Sequence, residues 1–318
     1  MNLINFHPPS WYANYKPPKN VQLVGDHHIE KGSIVILGGA GGVGKSLAIT
    51  SLAVAGATGG EWFGLKVHKQ FKTMVLQAEN QNTRLKNEYE NYDISELDDW
   101  IKISEPPECG FSFNSPQFLA SLKSESEKFG PDLVVLDPWN HIAASDDMQS
   151  HIKALGEIAS VWPTGEKNPA VLIVAHRRKP SPDRDPDGSD LMHEISGSHK
   201  ITTIARCVFA LVKIPNTSLV KVHCCKNNNG ATGDLGFWEY VDGYYLPRCH
   251  TATQRGKNED MLQAIKDILV EPMKQPDLVR GLEVATGKSQ STCYAALKKH
   301  EAYLEKIGNE VRLKGSKQ

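Results

Sequence analysis

Ser33-Ile-Val-Ile-Leu-Gly-Gly-Ala-Gly-Gly-Val-Gly-Lys-Ser46 is a short apolar run, a glycine-rich turn and a Lys-Ser pair, and Ser46 to Ala57 continues as an Ala- and Leu-rich stretch. The run reads as a buried strand and the stretch after it as a helix. Gly39-Ala-Gly-Gly-Val-Gly44-Lys45-Ser46 satisfies G-x-x-x-x-G-K-[ST] in the strand-to-helix setting that the motif requires. Glycines there let backbone N–H groups curl around phosphate oxygens, the helix N-terminus adds partial positive charge, and Lys45 reaches the terminal phosphates. Ser46 offers a hydroxyl to Mg²⁺. Gly39, Ala40, Gly41, Gly42, Val43, Gly44, Lys45, Ser46 and Leu47 are the candidate nucleotide-binding residues, with ATP and Mg²⁺ as expected ligands. The same stretch fits G-x-G-x-x-G (Gly39, Gly41, Gly44), the dinucleotide fingerprint, which wants an acidic residue about 20 positions on, at the end of a second strand. Glu61 has that spacing but sits in a Gly-Gly-Glu-Trp loop, and the second strand ends only near Gln77. A nicotinamide-binding oxidoreductase would also leave the Lys-Ser pair unexplained.

Outward from this turn, further apolar runs alternate with helical stretches: Thr73–Gln77, Leu133–Leu136, Val171–Ala175, Cys207–Val212 and Leu219–His223. Several are continuously apolar, as expected for strands buried on both faces of a mainly parallel sheet. Ser115-Pro116 supplies an N-cap followed by Pro at the first helical position. This predicts an α/β domain with helices on both faces. Pro131-Asp-Leu-Val-Val-Leu-Asp137 ends an apolar strand in a carboxylate, which beside a phosphate loop would hold Mg²⁺ opposite Ser46. Glu79, His176 and Lys226 also follow apolar strands. Ligands of open parallel sheets bind outside the carboxyl ends of the strands, so Lys45, Asp137, Glu79, His176 and Lys226 are expected on one edge. Glu79 could orient and deprotonate an attacking water, and His176 could sense the γ-phosphate. No NKxD tetrapeptide follows Asp137, which argues against a small GTPase. The strand that carries Glu79, between the phosphate loop and Asp137, favours the RecA-like division over nucleotide kinases.

The length of 318 residues suits about two domains. Thirty-six basic and 37 acidic side chains give a net charge of −1, so any nucleic-acid site must be local. Cys109, Cys207, Cys224, Cys225, Cys249 and Cys293 show no metal-ligand spacing and read as reduced intracellular thiols. The start has neither a basic n-region nor an apolar h-region, and no run of 18 apolar residues occurs, so a cytoplasmic protein without membrane contact is expected. Residues 1–20, rich in Pro and aromatics, suit an extended arm. Residues 21–249 form the α/β domain, 250–259 a linker and 260–318 a second, helical domain. Arg177 to Asp190 is a long polar loop, of a kind uncommon inside a compact domain.

Residues 21–247 resemble the RecA-type hexameric helicases, most closely the RepA-type replicative helicases of plasmids and mobile elements. The resemblance is carried by Gly38–Ser46, Ala55–Gly59, Gln77-Ala-Glu-Asn80 and Val135-Leu-Asp-Pro138. It continues through Ile173–Lys179, Ser196-Gly-Ser-His199, Ile204-Ala-Arg206, Lys226–Gly230 and Gly243–Pro247. It implies a RecA-like P-loop ATPase core whose sites lie between adjacent subunits of a homo-oligomeric ring, a hexamer acting on single-stranded DNA. Glu79 then matches the catalytic glutamate, His176 the γ-phosphate-sensing histidine and Arg206 the arginine finger supplied by the neighbour. The polar loop, with Arg177, Arg178 and Lys179, falls where such rings face their central channel. Two positions depart from the pattern: Arg177 stands where a second His is common, and Asn228 where related rings carry Arg two residues after the lysine. Trans activation would then rest on Arg206, with Lys226 as its companion.

The C-terminal segment reads as a winged helix-turn-helix. Met261–Leu269 and Pro276–Gly287 have helical spacing, Ser289–Lys299 would be the recognition helix, and Ile307–Leu313 could form the wing. From Lys274 to Gln318 there are 9 Lys/Arg against 5 Asp/Glu, a local charge of +4 that could address duplex DNA. Lys288, Gln290, Ser291, Lys298, Lys299 and Arg312 are the candidate contacts. The expected function is an ATP-driven DNA helicase or translocase; the alternative is an ATP-controlled DNA-binding switch or loader, which Asn228 favours.

Overall fold

In a computed structural model that describes residues 6–108, 110–142, 147–177, 188–195, 198–215, 217–248, 259–269, 271–286, 289–307 and 310–314, each of the six apolar runs forms a strand. Met1–Cys249 and His250–Gln318 make two separate units. The first runs α1 (Pro9–Ala13), β1 (Gln22–Val24), β2 (Ile29–Glu30), β3 (Ile34–Gly39), α2 (Lys45–Thr58), β4 (Glu61–Trp62), β5 (Leu65–Lys66), β6 (Thr73–Gln77) and α3 (Asn82–Tyr89). It continues β7 (Ile101–Ile103), α4 (Pro116–Phe129), β8 (Leu133–Asp137), α5 (Met148–Val161), β9 (Ala170–His176), α6 (Ser198–Ile204), β10 (Cys207–Lys213), β11 (Leu219–Asn227), β12 (Gly233–Val241) and β13 (Tyr244–Arg248).

Nine of these strands form one sheet in the order β13-β12-β11-β10-β3-β9-β8-β6-β7. The six from β10 to β7 are parallel, and β11, β12 and β13 are appended antiparallel. Successive side chains of a strand point to opposite faces, and in the central strands β3, β8 and β9 both faces are buried. Val35 and Leu37 pack with Leu52, Trp62 and Phe71 on the α2 side. Ile36, with Val134 and Ile173, packs against Ala154 and Ile158 of α5 on the other. That double burial is why the central strands read as unbroken apolar runs.

α2 is apolar on nearly all sides, as a helix pressed between sheet and surrounding chain must be. A Cβ at its Gly56 would lie 2.5 Å from the Phe71 ring, so glycine lets that ring close over the helix. Ser115 caps α4 by accepting from the Phe118 N–H, with Pro116 in the first turn. Two local expectations need correction. Residues 9–13 of the N-terminal arm are helical rather than extended, started by a proline in the first turn, with Tyr15 donating to Glu166 at 2.6 Å. Glu61 lies in the small β4–β5 hairpin rather than a loop.

The second unit contains α7 (Glu259–Ile268), β14 (Met273–Lys274), α8 (Gln275–Thr286), α9 (Gln290–Lys299), β15 (Leu304–Ile307) and β16 (Glu310–Leu313). Met261, Ile265, Leu278, Leu282, Cys293, Leu297 and Val311 form its core. The three strands make an antiparallel sheet in the order β14-β16-β15. Its hairpin begins at Leu304, earlier than the expected Ile307, because Leu304 pairs with Leu313 across the turn. No helix among the described residues is long and apolar enough to cross a membrane.

Candidate functional site

The glycine-rich turn joins β3 to α2. Gly42 and Gly44 have φ of +71° and +96°, a backbone region that costs L side chains energy, and this curls the turn back over the start of α2. A Cβ at Gly41 or Gly42 would meet no atom within 4 Å, so the space beside these glycines is open. Lys45 is buried, and its Nζ donates to the carbonyls of Gly39 and Ala40, each at 2.9 Å, with His176 Nδ1 at 3.4 Å. Burial lowers the pKa of the Lys45 ammonium, against the opposing pull of the Asp137 and Glu79 carboxylates.

Because β3, β9, β8 and β6 are parallel neighbours, their carboxyl ends lie side by side. Gly39 is level with His176, and Gln77 with Asp137. Glu79 follows two residues later. The structure therefore brings Lys45, Ser46, His176, Asp137 and Glu79 to one edge. Ser46 Oγ donates to Asp137 Oδ2 at 3.2 Å. Burial pushes the Asp137 carboxyl up to about 6; the Ser46 hydrogen bond opposes this, the Glu79 charge adds to it, and Lys45 and Arg84 counter it. His176 is lowered by burial and then by the Lys45 charge, with Glu79 acting the other way.

Two hard oxygens 3.2 Å apart, one on a carboxylate that burial makes costly to ionise, suit a small divalent cation. Among the described residues no group of three or more His, Cys, Asp or Glu could hold a metal. Ser46 and Asp137 alone would leave a cation most of its shell for waters and phosphate oxygens, the usual habit of Mg²⁺.

Lys226 does not join this edge. β11 runs antiparallel to β10, so its end points to the opposite side of the sheet, where Val208 pairs with Lys226. There Lys226 Nζ donates to the Thr202 and Thr203 carbonyls at 3.0 Å each, covering carbonyls at the end of α6. Arg206 lies beside it, exposed, with its N–H donating to the Ile34 carbonyl. Gly39 lies five positions beyond Ile34, roughly 16 Å at about 3.3 Å per residue, so the Arg206 backbone stands that far from the start of its own phosphate loop.

Arg177 likewise departs from its expected role. Its Nε donates to Glu194 at 2.7 Å, the two side chains only 7 % and 12 % exposed, so this arginine is spent inside the fold rather than offered to DNA. Arg178, Lys179 and Lys288 lie outside the described residues, as do Cys109 and Cys249. Gln290, Ser291, Lys298 and Lys299 are exposed on α9, while Arg312 pairs with Glu305 at 3.0 Å. Cys207, Cys224, Cys225 and Cys293 are buried thiols.

The structure adds residues that no motif announced. Tyr245 on β13 donates to the Gly44 carbonyl at 3.1 Å and closes the far side of the turn. A hydrogen-bonded chain also links α2 to the corner that bears Glu79. Thr50 donates to Glu88 at 2.9 Å, Arg84 donates to Glu88 at 2.9 Å and to Asn80 Oδ1 at 2.5 Å, and the Asn80 N–H donates to Gln77 Oε1 at 2.7 Å. Glu88 is 6 % exposed. Glu88→Ala would take the Glu88 acceptor from the buried Thr50 hydroxyl and remove an arginine's partner, and should destabilise the domain by about 2 kcal/mol in chemical denaturation. A loss well under half of that would mean the chain of bonds carries little load.

A phosphate loop on a parallel sheet, with a lysine, a serine and a strand-end aspartate converging on it, defines a P-loop ATPase. The sequence matches the AAA domain family, a family of such ATPases, over residues 7–182, more than half the chain, and the protein belongs to it. No curated protein matches the chain.

Proposed function

We propose that the protein is a Mg²⁺-dependent ATPase motor of the RecA-like, RepA type. It assembles as a homo-hexameric ring and moves along single-stranded DNA in the replication of a plasmid or other mobile element. The observation that carries this reading is the division of the candidate residues between opposite edges of one sheet. Lys45, Ser46, Asp137, Glu79 and His176 share one edge, whereas Arg206 and Lys226 share the other, too far to serve the phosphates bound by their own chain. An exposed arginine there becomes useful when a second copy presents its phosphate loop to it, a head-to-tail contact that closes into rings.

In this reading Lys45 and the backbone of the turn hold the β- and γ-phosphates. Mg²⁺ bound by Ser46 and Asp137 would neutralise charge developing on the phosphate oxygens. Glu79 takes the proton of the attacking water, and His176, in contact with Lys45, reports on the γ-phosphate. β9 lies between the phosphate-loop strand and the Asp137 strand, an order that fits the RecA-like assignment. The second unit reads as a winged helix, with three helices followed by a hairpin, +4 from Lys274 to Gln318 and Gln290, Ser291, Lys298 and Lys299 exposed on α9. Arg312, held by Glu305, is the weaker contact.

ATP hydrolysis measured with and without single-stranded DNA, beside unwinding of a forked duplex, tests the proposal. Strong stimulation that fades as salt rises, together with strand separation, is expected. Hydrolysis indifferent to DNA, with no unwinding, would overturn the motor and favour the ATP-controlled switch or loader. Asn228, exposed where related rings carry arginine, is the residue that speaks for that second reading.

A further inference from the structure

Glu79 follows β6 in a corner whose backbone is held from both ends. Ala78 N–H donates to the Asp137 carbonyl at 3.0 Å. Asn80 N–H donates to Gln77 Oε1, and Gln77, 1 % exposed, is itself anchored by donating to the Ser104 carbonyl at 2.8 Å. Asn80 is further tied through Arg84 and Glu88 to Thr50, one turn beyond Ser46 on α2. With the corner fixed, the remaining freedom belongs to the Glu79 side chain. It is half exposed, and its carboxylate Oε1 lies 3.3 Å from His141 Nε2.

His141 is itself firmly mounted. It ends the single helical turn Trp139–His141 that follows Asp137-Pro138, and its N–H donates to the Pro138 carbonyl at 3.2 Å. Trp139, 1 % exposed, anchors that turn by donating from its indole to His151 Nδ1 at 3.0 Å while stacking on the same ring. The edge of Phe111 flanks the His141 imidazole, with centroids 6.3 Å apart. A carboxylate oxygen accepts, so the tautomer that makes this contact a hydrogen bond carries its proton on His141 Nε2.

We propose that His141 is a positioning residue for the hydrolytic step: its Nε2–H takes one oxygen of the Glu79 carboxylate and leaves the other aimed at the attacking water. This rests on the reading of Glu79 as the water-activating base. A glutamate with free torsions samples many orientations, and few of them place its oxygen in line with water and γ-phosphate. A fixed donor at one oxygen removes most of the unproductive ones. In this proposal His141 acts on the reaction only through Glu79, so its loss should appear in kcat and spare KM.

The experiment compares wild type, His141→Ala, His141→Gln, Glu79→Gln and the Glu79→Gln/His141→Ala pair. It reads steady-state ATP hydrolysis together with binding of a fluorescent ATP analogue. His141→Ala is expected to lower kcat by up to about 10²-fold, with KM and analogue binding unchanged. His141→Gln, which keeps an N–H donor, should recover most of that loss. The double variant should be no slower than Glu79→Gln alone. Equal losses in the Ala and Gln variants would mean a packing role and overturn the proposal. So would a wild-type kcat in His141→Ala, or a loss that adds to that of Glu79→Gln. If Glu79→Gln itself hydrolyses ATP normally, the reading of Glu79 as base fails first; with Glu79→Gln inactive and His141→Ala normal, only the positioning role fails.

Discussion

Arg206→Ala should reduce ATP hydrolysis by about 10³- to 10⁵-fold, the scale on which arginine fingers act, while nucleotide affinity stays close to wild type. The sparing of affinity follows from the fold. Arg206 is anchored at the amino-terminal end of β3, through its N–H to the Ile34 carbonyl, and the phosphate loop begins at the other end of that strand. Its own subunit's binding set, Lys45, Ser46 and Asp137, is intact without it. Lys45→Ala should fail differently, by losing the contact to the terminal phosphates and hence affinity. The two defects then lie on opposite faces of one protomer. In a head-to-tail ring made from equal amounts of both inactive proteins, about a quarter of the interfaces combine an intact lysine with an intact arginine. Co-expressed, co-purified mixtures should therefore recover about a quarter of wild-type hydrolysis. Mixed assemblies as inactive as either parent, with both chains folded and present, would sink the shared-site reading, and so would an active Arg206→Ala protein.

Much of this site is legible in the chain because its parts are local or follow from strand direction. The phosphate loop is contiguous, and its glycines, lysine and serine need no tertiary information. Asp137 and His176 each close an apolar run, and parallel strands send such ends to one edge. Lys226 sits at the other edge for a physical reason. Leu219-Val-Lys-Val-His223 alternates apolar and polar residues, and its burial alternates in step, the pattern of an antiparallel strand with one wetter face. That alternation is the cue that β11 turns back, and it carries Lys226 to the far edge. No apolar run marks β12 or β13, because β12 is half-buried and β13 mostly exposed, with polar residues interspersed. Tyr245 meets Gly44 across 201 positions, His141 meets Glu79 across 62 and Glu88 meets Thr50 across 38, and nothing in local periodicity joins them. The buried pairing of Arg177 with Glu194 is hidden for the same reason.

Asp137→Asn should move activity and stability in opposite directions. Burial raises this carboxyl to about 6 from an ordinary value of 3.8, so the folded state holds the proton more tightly than the unfolded chain does. As pH rises from about 4, the unfolded state sheds its proton first, and folding is increasingly penalised until about pH 6. Above that the penalty is constant, close to 3 kcal/mol for a shift of about two units. Asparagine carries no such cost and still accepts from the Ser46 hydroxyl. In EDTA without nucleotide at pH 7.5, Asp137→Asn should be more stable than wild type by about that amount, and the difference should vanish as pH falls below about 4. Hydrolysis should nevertheless fall by about 10²- to 10³-fold, the usual cost of losing one stabiliser of transition-state charge, and Mg²⁺ with ATP should no longer stabilise the variant beyond what nucleotide alone does. Burial makes this carboxylate costly to ionise, and a bound cation would relieve that cost, so Asp137 favours cation binding. Had Asp137→Asn instead a lower unfolding midpoint in EDTA, the carboxylate would be ionised and well partnered without metal, and its role as the cation's protein anchor would lose its physical basis.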